Sequence, residues 1–140
     1  MKVKDVMSAK VVSVSPGESV EVAARTLAQY NIGILPVCSN GQLQGLVTDR
    51  DLVTRCIAAN RSPATTTVAQ VMSDRLITVG PETDVCMAAH LMGSRQIRRL
   101  PVVEGNRLCG MVSLRDLAVR QETSMDAADA LTDISSNIRQ

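Results

Sequence analysis

Hydrophobic and polar positions along this chain sort into short stretches of two kinds. Val11–Val14 alternates and is rich in β-branched residues, and Ser15-Pro16-Gly17 closes it as a turn, so a strand is predicted there. Ser19 then opens Val20–Tyr30, where Val20, Ala23, Ala24 and Leu27 recur at helical spacing, and Asn31 and Gly33 end the helix. Ile34–Cys38 is a short apolar run that reads as a buried strand. Ser39-Asn40-Gly41 turns it into a second strand, Leu43–Val47, and a second helix follows from about Asp49 to Asn60. The same plan then recurs: Leu76–Val79, Val85–Arg95, Arg99–Val103, Leu108–Val112 and Leu114–Gln121.

The recurrence is literal. A shift of 65 positions lays Val3–Arg55 over Val68–Arg120 without a gap, and about 20 of the 53 aligned positions are identical. A tandem repeat of this kind governs how every local motif is read. The organisation predicted is a first repeat over residues 1–60, a connector over 61–67, a second repeat over 68–121 and a tail over 122–140. In the tail, Ala127, Leu131, Ile134 and Ile138 fall near one helical face. They fit either an amphipathic helix docked on the body or on a second subunit, or a frayed terminus.

Size changes this picture little. At 140 residues the chain has the length of one domain, and a repeat of about 55 residues is marginal alone, so the halves are expected to share a core about a pseudo-two-fold axis. Composition matters more. Phe and Trp are absent and Tyr30 is the one aromatic residue, so a planar ligand would be gripped by aliphatic side chains and backbone. The net charge of +1 creates no global field for nucleic acid or anionic membrane. No apolar stretch approaches a membrane span and the N-terminus lacks a signal-peptide core, so a cytoplasmic protein without nucleic-acid or membrane partners is expected. Cys38, Cys56, Cys86 and Cys109 form no CxxC, and His90 supplies no second ligand type at zinc spacing, so no metal site is expected. No nucleophile–base pair and no tuned carboxylate pair stands out, which leaves catalysis without a candidate constellation.

The chemistry-bearing pattern is Gly45-Leu46-Val47-Thr48-Asp49-Arg50-Asp51, echoed by Gly110-Met111-Val112-Ser113-Leu114-Arg115-Asp116. Thr48-x-x-Asp51 and Ser113-x-x-Asp116 have the form of capping boxes, in which an acid in the first helical turn satisfies free N–H groups. The same strand-to-helix junction can hold a phosphate on backbone N–H groups, and the aspartate can accept both hydroxyls of a ribose. Both readings remain open on the residues alone.

The repeat together with this pattern resembles the CBS-domain family. The likeness covers both repeats and is carried by Asp5-Val6-Met7, Ile34-Leu35-Pro36-Val37, Ile97-Arg98-Arg99-Leu100-Pro101-Val102-Val103 and the two junctions. The resemblance implies an α+β fold of two β-α-β-β-α repeats packed as one CBS pair (a Bateman module, of the stand-alone bacterial type), with two sheets back to back and two clefts. It also implies a homodimer in the form of a four-repeat disc, and a regulatory ligand such as AMP, ADP, ATP or S-adenosylmethionine, with no obligatory cofactor.

Transferred to matching positions, the resemblance puts ribose hydroxyls on Asp51 and Asp116 and ribose or phosphate on Thr48 and Ser113. Adenine and phosphate would lie along Gly33-Ile34 and Arg98-Arg99, with Val12 and Ile77 on the first strands closing the cleft. Leu46 and Met111 would press on the base. The repeats differ where Gly33-Ile34 faces Arg98-Arg99. Neighbouring strand residues point to opposite sides, so one arginine is expected in the cleft and the other in solvent or at a partner. A phosphate is therefore expected on the second repeat, with Arg115 either assisting or sitting on the helix surface. The function implied is a regulatory sensor of adenosine-containing ligands acting on an unidentified partner protein, and not an enzyme. Its alternatives are a structural or dimerisation module with empty clefts, and a redox- or metal-responsive variant using the cysteines.

Overall fold

The structure is a computed structural model that describes residues 1–136. In chain order its elements are α1 (Val3–Val6), α2 (Val20–Tyr30), β1 (Ile34–Ser39), β2 (Gln42–Thr48), α3 (Asp49–Leu52), α4 (Val68–Val71), α5 (Val85–Arg95), β3 (Arg99–Glu104), β4 (Arg107–Ser113), α6 (Leu114–Ala118) and α7 (Ser124–Ser135). Helices and antiparallel hairpins together make the α+β class expected from the sequence.

α2 and α5 have the predicted bounds. α2 is capped by Ser19, whose Oγ accepts from the Val22 N–H at 3.2 Å, and it ends where Asn31 turns left-handed at φ 53°. α5 ends in the same way at Gln96, φ 57°. The hairpins β1–β2 and β3–β4 each carry one bulge, between Val37 and Cys38 and between Val102 and Val103. The first hairpin turns through Asn40 and Gly41, both at positive φ (54° and 78°), as a two-residue turn matched to strand twist requires.

Other predicted elements differ. Val11–Val14 and Leu76–Val79 are not strands: each makes a single parallel bridge, Val14 to Val37 and Val79 to Val102. Alternation alone misled here, because the chain only touches the hairpin before leaving it for a turn. The helix expected over Asp49–Asn60 is α3 followed by a π-helical turn, Val53–Ile57, in which the Ala58 N–H donates to the Val53 carbonyl at 2.8 Å. Its counterpart α6 stops at Ala118, short of the predicted Gln121. The Thr123 hydroxyl then donates to the Leu117 carbonyl at 2.6 Å, satisfying a helix-end acceptor as the chain turns into α7.

Chain contacts define two compact units: one is Met1–Val11 with Ile77–Gln140, the other Val12–Leu76. The leading segment of each repeat thus belongs to the unit built around the other repeat. In the first unit, the Val3 and Lys4 N–H groups donate to the carbonyls of Thr83 and Pro81 at 2.8 and 3.0 Å, and Val3 and Val6 enter its core. In the second, Val68 and Ala69 donate to Glu18 and Pro16 at 2.8 and 3.0 Å, and Val68 and Val71 enter that core. Each unit has its own buried cluster, where the sequence suggested one shared core. Val85, Ala88, Met92, Leu100, Val112 and Leu117 are central to one; Val20, Ala23, Leu35, Val37, Val47 and Cys56 are central to the other.

The tail is helical as far as Ser135. α7 lies against α5 and α6, burying Ala127, Ala130 and Ile134, while Leu131 stays exposed and Ile138 lies outside the described residues. Gly93 of α5 permits this approach, since a Cβ there would come within 2.9 Å of Asp133 Oδ2 and 3.3 Å of Ala130 Cα.

Candidate functional site

In the unit formed by Val12–Leu76, β2 delivers Thr48 to the start of α3. Thr48 Oγ1 accepts from the Asp51 N–H at 3.1 Å, and Asp51 Oδ2 accepts from the Thr48 N–H at 2.9 Å. The Asp49 N–H donates to the Gly33 carbonyl at 3.1 Å, so Gly33 is drawn onto the junction. Ile34 stands directly across the ladder from Thr48, and Leu46 across from Pro36. Ile34, Leu46 and Thr48 therefore share one face, opposite the fully buried row Leu35, Val37 and Val47.

The second junction repeats this geometry. Ser113 Oγ accepts from the Asp116 N–H at 3.1 Å, Asp116 Oδ2 accepts from the Ser113 N–H at 2.8 Å, and the Leu114 N–H donates to the Arg98 carbonyl at 2.8 Å. Arg99 pairs with Ser113 and Pro101 with Met111, so Arg99, Met111 and Ser113 share a face. Of the two adjacent arginines, Arg99 is the one on the hydroxyl side; Arg98 precedes the strand and meets the junction through its carbonyl. Both capping boxes are thus real, and they use the same side chains on which the ligand reading depends, engaging one carboxylate oxygen of each aspartate.

The remaining predicted residues are more scattered. Val12 and Ile77 lie outside any strand, half-buried and packed against the core clusters of their own units. Arg98, Arg99 and Arg115 are exposed and enter no ion pair among the described residues.

Gly45 and Gly110 are fixed by close approach. A Cβ at Gly45 would lie 2.7 Å from Met72 Sδ and 2.8 Å from the Ser73 carbonyl oxygen. At Gly110 it would lie 2.5 Å from the Ser8 carbonyl oxygen and 2.9 Å from Met7 Sδ. The leading segment of each repeat crosses the glycine and pairs with the residue after it. Leu46 and Ser73 exchange bonds of 2.9 and 2.8 Å, and Met111 and Ser8 exchange bonds of 3.0 and 2.9 Å. Met7 and Met72 pack on the core clusters at these crossings.

The junctions differ at the second carboxylate oxygen. Arg55 Nη2 lies 3.6 Å from Asp51 Oδ1, while its Nη1 donates to the Val71 carbonyl at 2.9 Å and to Ser73 Oγ at 3.1 Å. The matching Arg120 has extended backbone (φ −103°, ψ 131°), and Asp116 has no ion pair among the described residues. Sequence reasoning did not single out Arg55. Its i,i+4 spacing from Asp51 was a visible signal, but its bonds to Val71 and Ser73 depend on how the second repeat's leading segment returns to the first, which no spacing encodes.

Among the described residues no group of three or more His, Cys, Asp or Glu could hold a metal ion. All four thiols are free, with Cys56 buried and Cys86 exposed. The negative charge of Asp126 pushes the Cys86 thiol above its ordinary pKa, and burial does the same to Cys38. Among the described residues no helix is long and apolar enough to cross a membrane.

Two copies of one hairpin-and-helix unit, each with a Thr/Ser-x-x-Asp junction, define a CBS pair, and the CBS domain family matches residues 3–57 and 68–122. The chain belongs to that family. It is 44% identical over 133 residues to the CBS domain-containing protein YhcV of Bacillus subtilis, covering 95% of this chain and 94% of the relative. Among solved structures, hypoxic response protein I with two coordinated zinc ions matches at 33% identity and a TM-score of 0.77, over 84% of this chain and 97% of that one. The CBS domain pair of protein MJ0100, in complex with methylthioadenosine and S-adenosyl-L-methionine, matches at 28% identity and a TM-score of 0.75, over 84% and 93%.

Proposed function

We propose that this chain is a regulatory module that binds adenosine-containing ligands at its Thr/Ser-x-x-Asp junctions and passes the bound state to a partner protein. The observation that carries the reading is the Ser113–Asp116 junction. One carboxylate oxygen of Asp116 serves the helix cap, and the other has no ion-pair partner among the described residues. Arg99 stands on the same face, across from Ser113. A carboxylate that accepts hydroxyl hydrogens beside a guanidinium that can grip a phosphate suits a ribonucleotide. The CBS pair crystallised with methylthioadenosine and S-adenosyl-L-methionine lends support to the ligand class.

AMP, ADP and ATP fit the arginine-bearing junction of the second repeat, while Ile34 in place of Arg99 favours a ligand without a phosphate, or none, in the first. Regulation follows only if the ligand prefers one arrangement of the protein over another. A homodimer is the assembly in which we place the module.

Calorimetric titration of AMP, ATP and S-adenosylmethionine into wild type and Asp116→Asn tests this. Hydrogen bonds to a charged group contribute about 1.5–3 kcal/mol, so Asp116→Asn should weaken the tighter site about tenfold or more. The capping boxes favour one second reading, a structural module in which Thr48, Asp51, Ser113 and Asp116 act only as helix caps. An absence of heat with every ligand at high protein concentration selects that reading and rejects ours.

A further inference from the structure

Asp51 and Asp116 are equivalent by repeat and by helix cap, yet their second oxygens differ. Asp51 Oδ1 faces the Arg55 guanidinium at 3.6 Å, and that guanidinium is held in turn by the Val71 carbonyl and Ser73 Oγ at 2.9 and 3.1 Å. We infer that Arg55 is an internal gate on the Asp51 junction: it stands at ion-pair distance over the carboxylate oxygen that a ribose hydroxyl would use, and a ligand enters by displacing it. This rests on the reading that the junctions accept ligand hydroxyls.

The gate has a mechanical consequence. Ser73 exchanges two backbone hydrogen bonds with Leu46, on the strand that ends at Thr48. A guanidinium withdrawn from Asp51 is free to leave Val71 and Ser73 as well, since one rigid fork serves all three acceptors. Ligand at Asp51 therefore loosens residues 71–73. Among the described residues nothing comparable guards Asp116, because α6 ends at Ala118 and Arg120 sits on extended chain beyond it. The Asp116 junction fills first, and the Asp51 junction fills at higher ligand concentration and transmits the change. Arg55 is a positioning residue for this site. Its side chain is 46% exposed, so the pair with Asp51 is weak enough to be displaced.

Amide hydrogen exchange at Leu46 and Ser73, together with calorimetry using AMP and S-adenosylmethionine, tests the gate in wild type, Arg55→Met, Arg55→Lys and Arg120→Met. Without ligand, Arg55→Met should speed exchange at both amides about two- to fivefold, the scale of a partly exposed ion pair. The same variant should tighten the weaker of two sites by a similar factor and leave the stronger unchanged. Arg55→Lys should fall between, and Arg120→Met should change neither quantity. In wild type, saturating ligand should speed exchange at Ser73. Unchanged exchange in Arg55→Met overturns the gate, as does weaker binding at the second site, which is what loss of a purely structural arginine would produce. If exchange rises as expected but no variant binds any ligand, the binding reading has failed and the gate falls with it, leaving Arg55 as a clamp on residues 71–73.

Discussion

Residues 48–57 and 113–120 begin from one template and part company within two turns. Both open with a hydroxyl residue and an aspartate bonded reciprocally, at 3.1 and 2.9 Å in one and 3.1 and 2.8 Å in the other. After Leu52 the first continues as a π-helical turn and keeps Arg55 over Asp51; after Ala118 the second stops, and Thr123 seals its end against Leu117. The divergence follows from where the chain goes next. The first helix leads through the connector to the second repeat's leading segment, whose Val71–Ser73 returns to it, whereas the second must reverse into α7. The hydrogen-bonded start of the helix is thus common property, and its exit carries the individuality of each repeat. The helical faces diverge with the exits. Ala89 and Gly93 are buried where α7 covers α5, while their counterparts Ala24 and Ala28 on α2 are exposed.

The largest effect expected from this contrast is in the core. Leu117 is fully buried beneath α7 and Leu52, its equivalent, is 6% exposed with no such cover. Leu117→Ala should cost about 2–5 kcal/mol by denaturant unfolding, and more than Leu52→Ala. Equal losses, or a larger one at Leu52, would show that α7 adds nothing to the packing of that unit.

Next in size are the glycine crossings. Gly110→Ala drives a Cβ onto the Ser8 carbonyl oxygen at 2.5 Å, a backbone atom that cannot swing aside, and Gly45→Ala meets Met72 Sδ at 2.7 Å and the Ser73 carbonyl oxygen at 2.8 Å. Each should destabilise by about 1–3 kcal/mol, Gly110→Ala by more, since the sulfur at Gly45 has some freedom to move. Alanines accepted without a shift in the unfolding midpoint would mean that the leading segments do not cross the strands this closely.

What the sequence made legible divides along a physical line. α2 and α5 were readable to the residue because their signals are local: apolar spacing and, for α2, Ser19 as cap and Asn31 at the end, with α5 following by the repeat. The capping boxes were readable for the same reason. The two leading strands were misjudged, since alternation at Val11–Val14 and Leu76–Val79 says nothing about whether a partner continues beside them. The assignment of Met1–Val11 to the unit of the second repeat, and hence the reason for Gly110, was invisible because it rests on contacts about 100 residues apart, Ser8 with Met111 among them. Within the site, Arg99 and Ser113 could be placed on one face only once the register was known. Arg55 escaped notice because both groups its guanidinium hydrogen-bonds, the Val71 carbonyl and Ser73 Oγ, lie on the leading segment of the second repeat.

The smallest effect expected concerns α7 and one thiol. Cys86 sits on α5 where the first repeat has Glu21, which pairs with Arg25 on the bare face of α2. Beside the face of α5 that α7 covers, Asp126 in the first turn of α7 stands next to the exposed Cys86, and its charge holds the thiol pKa above the ordinary value. A raised pKa means less thiolate at a given pH, and the thiolate is the species that alkylates. Asp126→Asn should therefore lower the Cys86 pKa and speed its alkylation by iodoacetamide near pH 8 by about two- to threefold, an advantage that fades as pH rises and the wild-type thiol also ionises. Peptide mapping separates Cys86 from the buried Cys56 and the half-buried Cys38 and Cys109, which serve as internal controls. A rate at Cys86 that ignores the substitution would place α7 too far from α5 for their charges to interact, and the contrast between covered and bare helical faces would lose its most local witness.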